Sequence, residues 1–380
     1  MELKQDCKFY IGEKPCIHQR LCEGCDKYDP MGTRILIIKL AAIGDVLRTT
    51  PLLDGLKRRY PRCQITWLTS PVAADLLRPI PQIDRLMAYT WENVMRLEVE
   101  QFDVMICLDK EPKATALAMQ IRAHTKVGVG MGPQGNPFPL NKEFEYCFSL
   151  GLDNDLKFRR NQKPYQQLIF EGLGLEFQGE QYRIGIPETE KVFGRELFAR
   201  NGVTDSDLVL GLNTGAGTIF ANKSWTISGY VDLIGRIRRV PRVRVALLGG
   251  PEERVRNREI VEAVKNAPGA PVIDTGCDNT LLEFCGVMDR CDIVVTGDTM
   301  AMHIAIALGK KVVAIFGPTC AQEIDLYGQG EKITTTIECA PCYLKVCPKT
   351  VTCMDLISVE EVHAAVARLT ASQRSVDLSS

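Results

Sequence analysis

The stretch Lys39–Leu53, KLAAIGDVLRTTPLL, sets an acidic residue, Asp45, beside a glycine where the apolar run RILIIKL hands over to an amphipathic helix. In open α/β sheets that junction is where ligands bind. A carboxylate there can cap the helix, hold a cofactor ribose, or take a proton as a general base. Further along, DIVVTGDTMAMHIAIALGKKVVAIFGPT places Asp298 and Thr299 at the start of another helix, with His303 about one turn inside it. Both are good N-cap residues, and the free N–H groups and dipole at a helix start attract phosphate. The plainer alternative is that Asp298 only caps and His303 packs beneath the next strand. A third stretch, LNTGAGTIFANKSWTISGY, is a small, Gly-rich loop after a strand and carries Thr214, Thr218 and Lys223. Small residues let backbone amides approach a ligand, and a lysine neutralises a diphosphate. The dinucleotide fingerprint G-x-G-x-x-G is missing from AAIGDV, so NAD binding is not expected.

Elements of a particular kind are needed to position these residues. From Arg34 onward, near-continuous apolar runs (RILIIKL, QITWLTS, RLMAYT, DVMICLD) alternate with helical stretches such as TPLLDGLKRRYP. That alternation implies a parallel sheet covered on both faces. The segment GVGMGPQGNPFPLNKEFEYCFSLGL reads as a long irregular loop, QKPYQQLIFEGLGL as a helix, and IGIPETEKV as a linker. The pattern then begins again with LVLGLNTG, RVALLGG, VIDTG, DIVVTGD and KVVAIFGPT. Two α/β halves of similar size leave a cleft between them.

Composition bounds the function. A chain of 380 residues favours two or three domains, and 45% hydrophobic with 24% charged residues is ordinary for a globular protein. A net charge of −1 argues against bulk nucleic-acid binding. No apolar signal region opens the chain and no run approaches the ~18 residues of a membrane span, so a cytoplasmic protein is expected. Fifteen cysteines are many for a reducing compartment, and eight fall in two clusters. Cys22 and Cys25 form C-x-x-C, with Cys7 and Cys16 to complete four ligands and His18 as a substitute. Cys339, Cys342, Cys347 and Cys353 form the second cluster. Structural zinc or an iron–sulfur cluster is the expectation, at either cluster or shared between them; reduced thiols are the alternative.

The blocks ILIIKLAAIGDVLRTTPLL, NKSW and GDTMAMHIAIALGKKVVAIFGPT together resemble the family 9 glycosyltransferases, the ADP-heptose:lipopolysaccharide heptosyltransferases and their relatives, over roughly Thr33 to His363. CAPCYLKVCP followed by CM also resembles a cysteine stretch of some members. The resemblance implies a GT-B fold, two Rossmann-like domains facing a cleft, here with a Cys-rich N-terminal extension. The boundaries would be a Cys-rich segment over 1–32, an acceptor domain over 33–186, a nucleotide-sugar domain over 187–357, and a final helix and tail over 358–380. It implies inverting transfer without a metal ion or other catalytic cofactor. Asp45 aligns with the general base, Lys223 with the lysine on donor phosphate, and Asp298, Thr299 and His303 with the donor-binding block. Glu252 or Glu253 after LLGG would bind the ribose. The expected partners are a nucleotide-sugar donor, with heptose leading, and a lipid-linked glycan acceptor at the inner membrane surface.

Met300 departs from the family's usual glycine and leaves a different donor sugar open. A non-catalytic protein that binds nucleotide or metal on the same scaffold is the alternative from another class. Two basic runs, Arg236–Arg244 and Lys57, Arg58, Arg59 and Arg62, are either solvated faces or contacts to anionic lipid.

Overall fold

The computed structural model describes residues 1–377; positions 378–380, the end of the polar tail, lie outside the described residues. The first half holds strands β1 (Thr33–Ile38), β2 (Cys63–Thr69), β3 (Arg85–Ala88), β4 (Gln101–Cys107), β5 (Arg122–Met131) and β6 (Pro137–Pro139). They lie in the order β3-β2-β1-β4-β5-β6, parallel except for the β5–β6 pair. Residues Ile35 to Ile38 of β1 are all fully buried, so the strand reads as continuous apolar sequence. Helices on both faces require this: Ile35 and Ile37 pack with Leu53, Leu56 and Phe170, whereas Leu36 and Ile38 pack with Leu97, Phe102 and Leu117.

The second half holds β7 (Leu208–Asn213), β8 (Val243–Leu248), β9 (Ile273–Asp274), β10 (Ile293–Gly297), β11 (Lys311–Phe316) and β12 (Gly330–Thr334). Their order is β12-β11-β10-β7-β8-β9, all parallel. Read from the β9 edge, this is the same 3-2-1-4-5-6 arrangement as the first sheet. In each half the winding direction reverses beside the first strand, at β1/β4 and at β7/β10. The crevice outside the carboxyl ends of those strands is where open sheets take ligands. Asp45 follows β1, the Thr214–Lys223 loop follows β7, and Asp298 follows β10.

Two segments differ from the sequence expectation. The irregular stretch beginning at Gly128 is in part regular, because β5 runs on to Met131 and β6 folds back on it. Half of the expected linker is helical: Pro187 precedes the helix Glu188–Arg200. That helix packs closely on helix Leu281–Asp289, since a Cβ on Gly194 or Gly286 would overlap the facing backbone. The final helix, Val359–Asp377, lays Val362, Ala365 and Val366 into the core of the second half. Residues 1–32 form turns with no helix or strand, joined at the base by Lys8 N–H to the Asp29 carbonyl and Met31 N–H to the Asp6 carbonyl, both 2.8 Å. Among the described residues, no helix is long and apolar enough to cross a membrane.

Candidate active site

Asp45 sits at the third position of the one-turn helix Ile43–Leu47. Its Oδ2 reaches back toward the Ala42 N–H at 3.4 Å, so the capping role is present, though at long range. The stronger contact is Arg48, whose Nη2 is 2.9 Å from Asp45 Oδ1. The Arg48 guanidinium lies 3.9 Å over the Tyr165 ring, and its buried Nε has no hydrogen-bond partner. Thr49 Oγ1 donates to the Asp45 carbonyl (2.7 Å) and lies 3.1 Å from the Tyr165 hydroxyl. Behind them Lys39 is buried, paired with Asp109 and donating to the Ala41 carbonyl. Burial by itself would raise the Asp45 pKa, but the Arg48 and Lys39 charges outweigh it and hold the carboxyl at about 2. Asp45 is therefore ionised at neutral pH, and its side chain stays 37% exposed.

The facing half presents Lys223, Asp298, Thr299 and His303. Lys223 Nζ donates to Asp298 Oδ2 (3.0 Å) and to the Asp298 carbonyl (3.1 Å). Burial would raise the Asp298 pKa; the lysine, first among the opposing influences, depresses it. Thr299 takes the N-cap position of helix Met300–Ala307, but its hydroxyl makes no cap bond and turns to Thr296 (3.2 Å) and Asn213 (3.4 Å). The first-turn amides of that helix thus receive no side-chain cap. His303 is buried, and burial followed by the Arg48 charge depresses its pKa to about 4, which leaves a neutral imidazole. Its ring stacks on Tyr182 (6.0 Å, 14°) and lies directly against Gly44, where any Cβ would overlap it. Helix Ile43–Leu47 and helix Met300–Ala307 therefore meet across the cleft. His303 stands within electrostatic reach of Asp45, Arg48, Asp298 and Lys223. One imidazole links both halves.

Two expected donor residues, Thr214 and Glu253, have other engagements. Thr214 is fully buried and donates to Asn257 Oδ1 at 2.5 Å, so it ties the loop to the helix Arg254–Val264 and offers nothing to a ligand. Thr218 is exposed in the loop. Glu253 accepts the Gly217 N–H (3.1 Å) and the Gly250 N–H (2.9 Å), and Gly215 leaves the space its side chain fills. It braces the Gly-rich loop, while Glu252 is exposed. Residue patterning alone missed Arg48, Tyr165 and Tyr182. Only Arg48 left a signal, standing one helical turn after Asp45.

Among the described residues, no group of three or more His, Cys, Asp or Glu is arranged to hold a metal ion, so neither cysteine cluster forms a ready zinc site. In the C-terminal cluster Cys353 is buried, and burial together with the neighbouring thiols pushes it up to about 11, whereas Cys339 is exposed and Cys342 and Cys347 are half-buried. The basic run Arg236–Arg244 is not one face. Arg238 is buried on the Val264, Gly269 and Ala270 carbonyls, Arg244 holds the Asn201 and Gly202 carbonyls, and Arg236 pairs with Glu360. In the other run Lys57 bonds Asp84, Arg58 bonds Glu180 and Arg62 bonds Asp29. Most of this charge is spent inside the protein.

Two Rossmann-ordered halves facing each other across a cleft make up the GT-B fold. The family model of glycosyltransferase family 9 (heptosyltransferase) matches residues 91–352, and the chain belongs to that family. It is 23% identical over 296 residues to the lipopolysaccharide core heptosyltransferase OpsX of Haemophilus influenzae, covering 74% of this chain and 78% of the relative. Among solved structures, a family 9 glycosyltransferase from Veillonella parvula superposes with a TM-score of 0.68 at 21% identity, covering 90% of this chain and 97% of the other. The ADP-heptose lipopolysaccharide heptosyltransferase II of E. coli gives 0.65 at 18%, covering 90% and 100%.

Proposed function

We propose that this enzyme transfers heptose from ADP-heptose, with inversion, onto a lipopolysaccharide core or related glycan. The observation that carries the reading is the convergence of Asp45 and the Lys223–Asp298 pair on His303, from opposite halves. The donor follows from the named substrate of the E. coli heptosyltransferase, and the acceptor from that relative and OpsX.

Inverting transfer needs a group that accepts the acceptor hydroxyl's proton while the diphosphate leaves from the opposite side of the anomeric carbon. A carboxylate with a pKa of about 2 is a weak base toward a free alcohol. It suffices here because the hydroxyl becomes strongly acidic as its oxygen bonds to that carbon, so proton transfer comes late. Lys223 and the uncapped amides of helix Met300–Ala307 meet the charge growing on the diphosphate. Asp298 holds the lysine in place before the donor arrives. Neutral His303 packs against Gly44 and keeps the two sets of groups in register. Charge stabilisation by Lys223 and the helix makes a divalent ion unnecessary, so EDTA is expected to leave turnover unchanged. Transfer takes place in the cytoplasm, onto a lipid-linked acceptor at the membrane face.

The deciding experiment measures ADP release from ADP-heptose with a core acceptor, beside calorimetric binding of ADP, UDP and GDP. Preferential ADP binding and acceptor-dependent release support the reading. A preference for UDP or GDP would retain the fold and reject heptose. Met300, 37% exposed at the start of the donor helix, is then the residue to revert to glycine.

A further inference from the structure

Sugar transfer makes no use of the chemistry in residues 1–32. Cys7, Cys16, Cys22, Cys25 and His18 line one cavity of about 410 Å³. Cys7 is buried and the other three cysteines are half-buried. Three of the four open a tight turn: the Cys7 carbonyl accepts from Tyr10 N–H (3.0 Å), that of Cys16 from Gln19 (2.8 Å), and that of Cys22 from Cys25 (3.2 Å). Turns of this shape bring the amides that follow a cysteine back toward its sulfur. Gly24, at φ +65°, lets the Cys22–Cys25 turn close in a conformation that other residues resist.

The four cysteines line one cavity. Tetrahedral zinc, with Zn–S near 2.3 Å, would draw their sulfurs to about 3.8 Å from one another. No such group of ligands exists among the described residues. A cubane iron–sulfur cluster takes one thiolate at each iron corner, spreads the sulfurs wider and fills the volume between them. Segment size points the same way. Below about 40 residues an apolar core seldom suffices without a metal or disulfides, and here Ile17 and Leu21 are 70% and 74% exposed.

We infer that Cys7, Cys16, Cys22 and Cys25 hold a cubane iron–sulfur cluster that staples the turns of the N-terminal segment to one another. The segment joins β1 at Thr33, and Asp29 anchors it to Arg62 beside the start of β2. Asp45 lies beyond the other end of β1, so the length of the strand, roughly 17 Å, separates cluster and carboxylate. The cluster's role is structural. No electron enters the transfer reaction, which is not a redox step.

The test is iron, acid-labile sulfide and zinc analysis of the full chain purified without oxygen, with its visible spectrum. Three variants are compared: Cys22→Ser with Cys25→Ser, Cys339→Ser with Cys342→Ser, and His18→Ala. The expected result is about four irons and four sulfides per chain with a broad band near 400 nm. They should be lost in the Cys22/Cys25 variant and kept in the other two. ADP binding by calorimetry should survive in the Cys22/Cys25 variant, which separates loss of the cluster from loss of the fold. One zinc without sulfide, a folded wild type free of iron, or iron that follows Cys339 and Cys342 would each overturn the inference. These outcomes are independent of which sugar the enzyme transfers.

Discussion

Asp45 and Arg48 stand one helical turn apart, and the 2.9 Å pair between them orients the carboxylate proposed as the base. Asp45→Asn removes the proton acceptor while leaving the facing half intact. Turnover should fall by about 10²–10⁴-fold with ADP affinity unchanged, and an unchanged rate would take Asp45 out of the mechanism. Arg48 is a positioning residue, and its effect is readable in pH. The folded pKa of Asp45 is depressed, so the active ionised form persists on acidification down to about 2. Replacing Arg48 with Gln removes the largest influence opposing burial. The acid limb of kcat/KM should then move up from about 2 and enter a profile taken between pH 3 and 8. A variant profile with no acid limb in that range would mean that the Arg48 contact packs the helix and does not tune the base.

At the scale of elements, the donor side is a loop after β7 and a helix after β10, each held by bonds that no motif announces. Lys223 is predicted to contribute a charge-assisted contact of about 1.5–3 kcal/mol to the diphosphate. Lys223→Ala should therefore weaken ADP binding by roughly 10–100-fold in calorimetry. Glu253 acts through the backbone: with its two amide acceptors removed, Glu253→Ala frees Gly217 and Gly250 and should raise the donor KM more than it lowers kcat. Equal loss in both would place its carboxylate on the reacting sugar. These residues also show how far the sequence could be read. The strand-to-loop positions of Asp45, Lys223 and Asp298 are legible because unbroken apolar runs such as Ile35–Ile38 mark buried parallel strands. Whether a side chain in such a loop faces the cleft is not, since that depends on partners far along the chain. Thr214 turns inward to Asn257, and the Tyr165 ring beneath Arg48 comes from 117 positions away. β5 escaped notice for a related reason: its outer half, Arg122–Thr125, carries polar residues because an edge position leaves them in water.

Across the whole molecule, the two halves meet where Gly44 faces His303, and that contact helps to bury one imidazole. The pKa of His303 is depressed from 6.5 to about 4 with the ring buried, so protonation opposes the folded arrangement. The sign follows from proton counts. Between pH 4 and 6.5 the unfolded chain binds more protons at this residue than the folded one, so stability rises with pH across that window. The full difference is on the order of 3 kcal/mol. His303→Gln keeps a neutral polar side chain and should flatten this part of the stability–pH curve in denaturant titrations from pH 4 to 7. Gly44→Ala probes the same contact by shape, because its methyl group would overlap the imidazole. ADP binding, which needs only the second half, should then be preserved, while kcat falls because the base no longer reaches its acceptor in register with the donor. If Gly44→Ala instead weakened ADP binding as much as turnover, the donor site would already depend on the first half. His303 would then be part of the nucleotide pocket.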